Sequence, residues 1–290
     1  MSDAFEPERG RAPAILSIQL EDELRLDRER TGHVDPGDPA LVERRLARTL
    51  ETLERLDASA SFFAEGRLVA EIDRAWWSRL AIRHELGCQG LSRTTLARLG
   101  PERFTDDARR GREAIEEVAS CVVRAFRAPE LAVEGCDPWL GEGLRAAGYA
   151  IDASKRLASL PEHAHGGCFA LEGSDDAIVE LAQPALQFGG QTMTLGSASV
   201  RVLPLPTLRV LFELAEQQGF VPQLVLQLGD FDPHGPTGLE AEQGLRKRLE
   251  HLLRNAGREG VETKLQQLSL RWSFGTLGAA VDRAAHPPAA

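Results

Sequence analysis

Short runs of strand-forming residues alternate with amphipathic helical stretches from Ala14 almost to the end of the chain, and this alternation constrains the fold more than any other feature. Ala14-Ile-Leu-Ser-Ile-Gln-Leu20 is the first such run. A helix is expected over about 39–56. Asp38 suits its N-cap, and Pro39 takes the first helical position, where a missing N–H costs nothing. Val42, Leu46, Leu50, Leu53 and Leu56 then form one apolar stripe at helical spacing. Further strands are expected at Ala60–Ala64, His84–Gln89, Val122–Phe126, Tyr149–Asp152, Ile178–Leu181, Leu224–Leu228 and Leu268–Phe274. The intervening helices comprise one carrying Trp76 and Trp77 and one capped by Thr105 and running to about residue 119. Another is opened by Asp137-Pro138 and ended by Gly148. One more lies at about 207–218, and a long charged one at about 239–256.

Strands separated by such helices pair in parallel. Seven or so of these units in 290 residues indicate an α/β chain forming a single distorted (β/α)7-type closed barrel. The barrel is expected over residues 13–283 with a carboxyl-terminal extension from about 235, between a flexible start (1–12) and a flexible tail (284–290). In such barrels the chemistry sits at the carboxyl ends of the strands. Those ends are Gln19–Asp22, Gln89–Arg93, Arg127–Pro129 and Gln227–Asp230.

Composition removes several function classes. The chain has 34 Lys plus Arg against 44 Asp plus Glu and no basic block, so a nucleic-acid partner is not expected. No apolar run of about 18 residues is present, which argues against membrane insertion. The start, MSDAFEPERGRAP, lacks the apolar core of a secretory signal, so a cytoplasmic location is expected. Cys88, Cys121, Cys136 and Cys168 form no CxxC. Neither a phosphate-binding loop nor a Gly-x-Ser-x-Gly elbow around Ser92, Ser154 or Ser199 occurs. His84 and Cys88 lie about 13 Å apart if they share a strand, too far for one ion. The pair His163 and His165 is expected to be solvent-exposed, and His234 falls in a turn. Trp139 and Trp272 could stack on a sugar ring, although a core role is the commoner fate of such residues.

Seven segments in collinear order resemble the motifs of the polysaccharide deacetylases, the NodB-homology or carbohydrate esterase 4 family. They are Ile18-Gln-Leu-Glu-Asp22, Ala60-Ser-Phe-Phe63, Arg83-His-Glu-Leu-Gly-Cys-Gln-Gly-Leu-Ser-Arg93 and Phe126-Arg-Ala-Pro129, followed by Gly148-Tyr-Ala-Ile-Asp-Ala-Ser154, Leu226-Gln-Leu-Gly-Asp230 and Trp272-Ser-Phe-Gly-Thr-Leu277. The pattern is most similar to the subgroup associated with exopolysaccharide synthesis and exosortase loci. The resemblance implies a metal, usually zinc, held by one Asp and two His, with an Asp base and a late His that protonates the leaving amine. Three protein ligands with one open position suit a hydrolytic metal, and the base and acid must titrate near neutral pH.

Carried over residue by residue, most of that machinery is replaced. Gln19 stands where the subgroup has its base; aligned to branches with an Asp-Asp pair, Glu21 would be the base and Asp22 the ligand. Gln89 and Arg93 stand at the two metal His positions, and Gln227 at the late catalytic His. Gln is a feeble zinc ligand and Arg a permanent cation. Glu21, Asp22 and Arg127 remain. Arg127, which pairs with the catalytic Asp in the family, is expected beside Asp22 or Asp230, and Arg93 is expected to fill the vacated metal space opposite Asp22. The resemblance therefore implies a catalytically inactive homologue in bacterial exopolysaccharide metabolism, without cofactor, binding a polysaccharide, an oligosaccharide or a partner protein. Its pocket would be Gln19, Glu21, Asp22, Gln89, Arg93, Arg127, Pro129, Gln227 and Asp230. Two alternatives stand beside it. One is an active deacetylase or related amide hydrolase rebuilt around Asp22, Glu21 and Asp230, which would need zinc. The other is an interaction scaffold unrelated to carbohydrate.

Overall fold

The computed structural model describes residues 10–21, 38–129, 137–175, 178–233 and 256–286. The expected helix at 239–256 and the residues Asp22, Cys136 and His234 lie outside them. Strand β1 (Ala12–Leu20) is the spine of the sheet. It pairs in parallel with β2 (Ser61–Ala64), with β12 (Gln223–Gln227) and, through its first residues, with β13 (Trp272–Gly275). From β2 the sheet runs on through β3 (Glu85–Cys88), β4 (Ala125–Phe126), β5 (Ile151–Asp152) and β8 (Val179–Leu181), ending at the antiparallel β7 (Cys168–Ala170).

The distorted α/β barrel expected from sequence is present as a curled half-barrel, with no pairing between β12 and β7 among the described residues to close it. Two small two-stranded sheets lie beside it: β6 (Arg156–Leu157) with β9 (Gln183–Pro184), and β10 (Leu186–Phe188) with β11 (Gln191–Met193).

Side-chain alternation sorts β1 into two layers. Ala14, Leu16, Ile18 and Leu20 join the large core beneath the helices, while Ile15 meets Phe63, Ala125, Ile151, Ala153 and Leu181 inside the curl. Helix α1 (Pro39–Arg55) begins as expected: the Asp38 carboxylate accepts from the Leu41 N–H at 2.9 Å, and the stripe from Val42 to Leu53 is buried. Helix α2 (Arg74–Arg83) buries Trp77 and leaves Trp76 half-buried under Arg79. Helix α3 runs from Leu96 to Ala119, not from Thr105; a bend at Gly100 (φ 63°) and Pro101 hides its first turns from a periodicity reading.

Helices α4 (Asp137–Ala147), α5 (Ser197–Val202) and α6 (Leu205–Gln217) follow. Leu268 lies in the last turn of helix α7 (Val261–Ser269) rather than opening the last strand, which is confined to Trp272–Gly275. Helix α8 (Leu277–Ala285) extends into the segment read as a flexible tail, and its Leu277, Ala280 and Val281 plug the amino-terminal end of the curl. Trp272 is buried against Phe212 and donates its indole N–H to Glu216 at 2.8 Å, while Trp139 packs edge-on against Phe104. Trp272 is thereby a core residue. No helix among the described residues is long and apolar enough to cross a membrane.

Candidate functional site

The carboxyl ends of β1, β3, β4 and β12 converge, and four of the sequence-chosen residues meet or crowd there. Gln19 and Gln227 are register partners on β1 and β12. Beyond Gln19, the Glu21 carboxylate is 3% exposed and meets, among the described residues, one ion-pair partner and one amide donor. The Arg93 guanidinium lies 2.8 Å from Oε2, and the Gln227 amide donates to Oε1 at 2.9 Å. Arg93 therefore turns inward as expected, and its carboxylate partner is Glu21.

The loop holding Arg93 is fixed from several sides. Gly66 and Arg67 donate their backbone N–H groups to the carbonyls of Gly90 and Leu91, each at 2.9 Å. The Leu91 N–H in turn donates to Asp107 of α3, also at 2.9 Å. Gly111 of α3 lies so close beneath that a Cβ there would stand 2.5 Å from the Gly90 carbonyl carbon. Arg93 itself adopts φ +49°, a left-handed conformation uncommon outside glycine. Its side chain is 13% exposed.

Gln89 is buried to 1% exposure, and neither its amide nitrogen nor its amide oxygen has a hydrogen-bond partner among the described residues. Asp230 sits in the short 3-10 turn Leu228–Phe231 that follows β12. Its carboxylate accepts from the Gln227 backbone N–H at 2.8 Å and lies 3.5 Å from Arg201 Nε. Pro129 is half-buried at the end of the described loop after β4.

Arg127 departs from its expected pairing. It lies one layer deeper, 1% exposed, donating to the Ala153 carbonyl at 3.2 Å and to Ser17 Oγ at 3.1 Å, with its guanidinium 4.1 Å from the centre of the Phe63 ring. Burial lowers its pKa to about 10 against the pull of Asp152, Glu180 and Glu85. The reason is placement: Arg127 follows Phe126 on β4 and shares the inner layer with Ser17, two residues short of Gln19 on β1.

The carboxylates around Arg127 were not singled out from sequence, although Asp152 and Glu85 lie within the motif segments. Asp152 and Glu180 are register partners on β5 and β8, and their buried carboxyl groups act electrostatically on one another. Asp152 accepts from Ser154 Oγ at 2.5 Å, and Glu180 accepts from the Lys155 N–H at 3.0 Å. Burial, with the neighbouring charge of Asp152, raises Glu180 well above the ordinary carboxylate range. Glu85 accepts from Ser61 Oγ and from the Gly278 N–H at 2.9 Å, tying β3 to α8.

The described histidines with defined surroundings stay clear of this region. His84 Nδ1 accepts from the Ala60 N–H at 3.3 Å, and burial, helped by Arg83, lowers its pKa to about 4. It lines a surface pocket of about 220 Å³ with Leu50, Glu54, Ala58, Arg79, Ile82 and Arg83, at the amino-terminal end of β3. His163 and His165 are exposed, as expected.

Residues 34–136, from just before α1 to beyond Arg127, match the family described as Polysaccharide deacetylase. A protein from Mycobacterium smegmatis assigned to the polysaccharide deacetylases superposes with a TM-score of 0.61 at 16% identity, over 97% of this chain and 92% of its own. The fold is that of a polysaccharide deacetylase. A CE4 family pseudoenzyme from Bacillus anthracis matches with a TM-score of 0.50 at 13% identity, over 96% of this chain and 67% of its own. The 4-alpha-glucanotransferase of Thermococcus litoralis matches with a TM-score of 0.55 at 12% identity, over 94% of this chain and 40% of its own. No curated protein matches the sequence.

The deacetylase pattern implies a metal at this mouth, and the described side chains there do not fit one. No group of three His, Cys, Asp or Glu placed to hold a metal occurs among the described residues. Gln89 offers a neutral amide, and Arg93 puts a permanent cation against the Glu21 carboxylate that an incoming ion would need. A divalent ion beside that guanidinium would face repulsion at close range in a partly dry site.

Proposed function

We propose that this chain is a catalytically inactive polysaccharide deacetylase homologue that acts in bacterial exopolysaccharide metabolism by binding a glycan or a partner enzyme. One observation carries the reading. The two oxygens of Glu21 are taken by Arg93 and Gln227, the residues standing at a metal-His position and at the position of the leaving-group acid. Hydrolysis of an acetamide needs an activated water, a base and a proton donor. Neither Gln nor Arg changes protonation in the working pH range, and Glu21 is held as the counter-ion of Arg93. Asp230, another carboxylate of the rebuilt alternative, accepts the Gln227 backbone N–H and faces Arg201. The free thiols Cys88, Cys121 and Cys168 suit a reducing, cytoplasmic setting.

Elemental analysis of the purified protein and turnover of N-acetylated oligosaccharides form the test. The expected result is no stoichiometric metal and no release of acetate, with glycan binding detectable by calorimetry. Bound metal at one equivalent, or turnover abolished by Asp22→Ala, overturns the reading. Absence of binding to any glycan, with no turnover, favours a scaffold unrelated to carbohydrate.

A further inference from the structure

We propose that Arg93 is the resident cation of the barrel mouth, its guanidinium supplying from within the chain the positive charge that a divalent metal supplies in the deacetylases. The inference rests on the metal-free reading above and goes beyond it in assigning the charge to one side chain. Three observations converge on it. The side chain points into the mouth at 13% exposure and meets a carboxylate that is itself 3% exposed, at 2.8 Å. A buried carboxylate stripped of its cation is strongly unfavourable, so this pair is unlike an ion pair on open surface. The backbone accepts φ +49° at Arg93 to present the group, a conformation that costs free energy in any residue but glycine. The flanking hydrogen bonds from Gly66, Arg67 and Leu91 hold the loop there whatever the side chain. Gln227 completes the arrangement by donating to the other oxygen of Glu21.

Removing the side chain but keeping the loop should therefore leave a cation-shaped vacancy facing Glu21. Arg93→Gly does this with least disturbance, because glycine favours the left-handed conformation already present. The experiment measures thermal unfolding and calorimetric binding of methylguanidinium to the wild-type protein and to R93G. Methylguanidinium should bind R93G and raise its Tm by about 2 °C at ten times its dissociation constant. The wild-type protein, whose site is filled, should neither bind it nor shift.

Arg93→Gln serves as a second variant, close in size but neutral. It should melt below the wild-type protein at pH 7, because the buried Glu21 carboxylate then faces a neutral side chain. A folded R93G that ignores methylguanidinium overturns the proposal, as does R93Q melting with the wild-type protein at pH 7. Should R93G not fold, the comparison of R93Q with the wild-type protein decides alone. Failure here leaves the wild-type protein metal-free and non-catalytic. Failure of the functional reading would instead appear as metal or turnover in the wild-type protein.

Discussion

At the mouth of the curl, Glu21 meets Arg93 and Gln227 close to solvent; one layer down, Arg127 is sealed among Phe63, Ser17 and the Ala153 carbonyl, facing Asp152, Glu180 and Glu85. The two regions belong to one sheet, yet in the proposed reading the upper one departs from the deacetylase pattern at Gln19, Gln89, Arg93 and Gln227, while the lower one keeps Arg127 and Asp152. The difference is physical. The groups of the lower layer are buried against one another without access to water, so changing one alters the charge balance of its neighbours. The mouth borders water, and its side chains can be exchanged as long as the charge on Glu21 is met. The lower layer holds strands together and is indifferent to whether chemistry happens above it.

The sharpest way to break this contrast is Arg127→Met. Losing the buried cation leaves its carboxylates uncompensated, and urea unfolding should show a loss of about 4 kcal/mol. A loss no larger than that of a mouth variant would abolish the distinction.

The next effect is in the pH dependence of the lower layer. Glu180 binds its proton more tightly folded than unfolded, so its contribution is full below the ordinary glutamate pKa of 4.5 and is lost as pH rises through the folded value. Glu180→Gln keeps an acceptor for Lys155 and gives Asp152 a permanent donor. The wild-type protein should therefore lose stability relative to E180Q as pH rises from 4.5 toward 8, measured by urea midpoints.

His84 titrates the foot of β3 with the opposite sign. Its pKa is lowered from 6.5 to about 4, so stability present above 6.5 is lost as pH falls through 4, by about 3 kcal/mol. His84→Asn, which keeps an acceptor for the Ala60 N–H, should flatten that stretch of the profile.

The smallest effect belongs to the mouth. Gln227→Ala removes one hydrogen bond to a carboxylate that keeps Arg93, and should cost about 1 kcal/mol. A much larger cost would make the mouth as structurally committed as the layer beneath.

Much of the scaffold was legible from local signals. Asp38-Pro39 announced α1, and the run Ala14–Leu20 lay within β1, because caps and strand propensity are written in neighbouring residues. The start of α3 was obscured by Gly100-Pro101, and strands of two or three residues such as β6 and β9 are too short to show a period. At the site, residue types at the strand ends could be read by analogy, but partnerships could not. Arg127 was expected beside Asp22 or Asp230 and lies one layer below Asp230, on Ser17 and the Ala153 carbonyl, a matter of strand register. Glu21 meeting Arg93 depends on a left-handed backbone at a position where nothing in the residue type announces it.

The central strand has a temporal consequence as well. β1 is hydrogen-bonded to β2, β12 and β13, and Ala12 pairs with Trp272 about 260 residues later. On the ribosome its seven fully buried positions, Ala14 to Leu20, emerge long before two of the three strands that cover them. Such distant closure makes folding slow and leaves an apolar strand edge open to other chains meanwhile. The first strand of the sheet to be synthesised is thus among the last to be finished, and the nascent protein is a natural client for a chaperone that shields it.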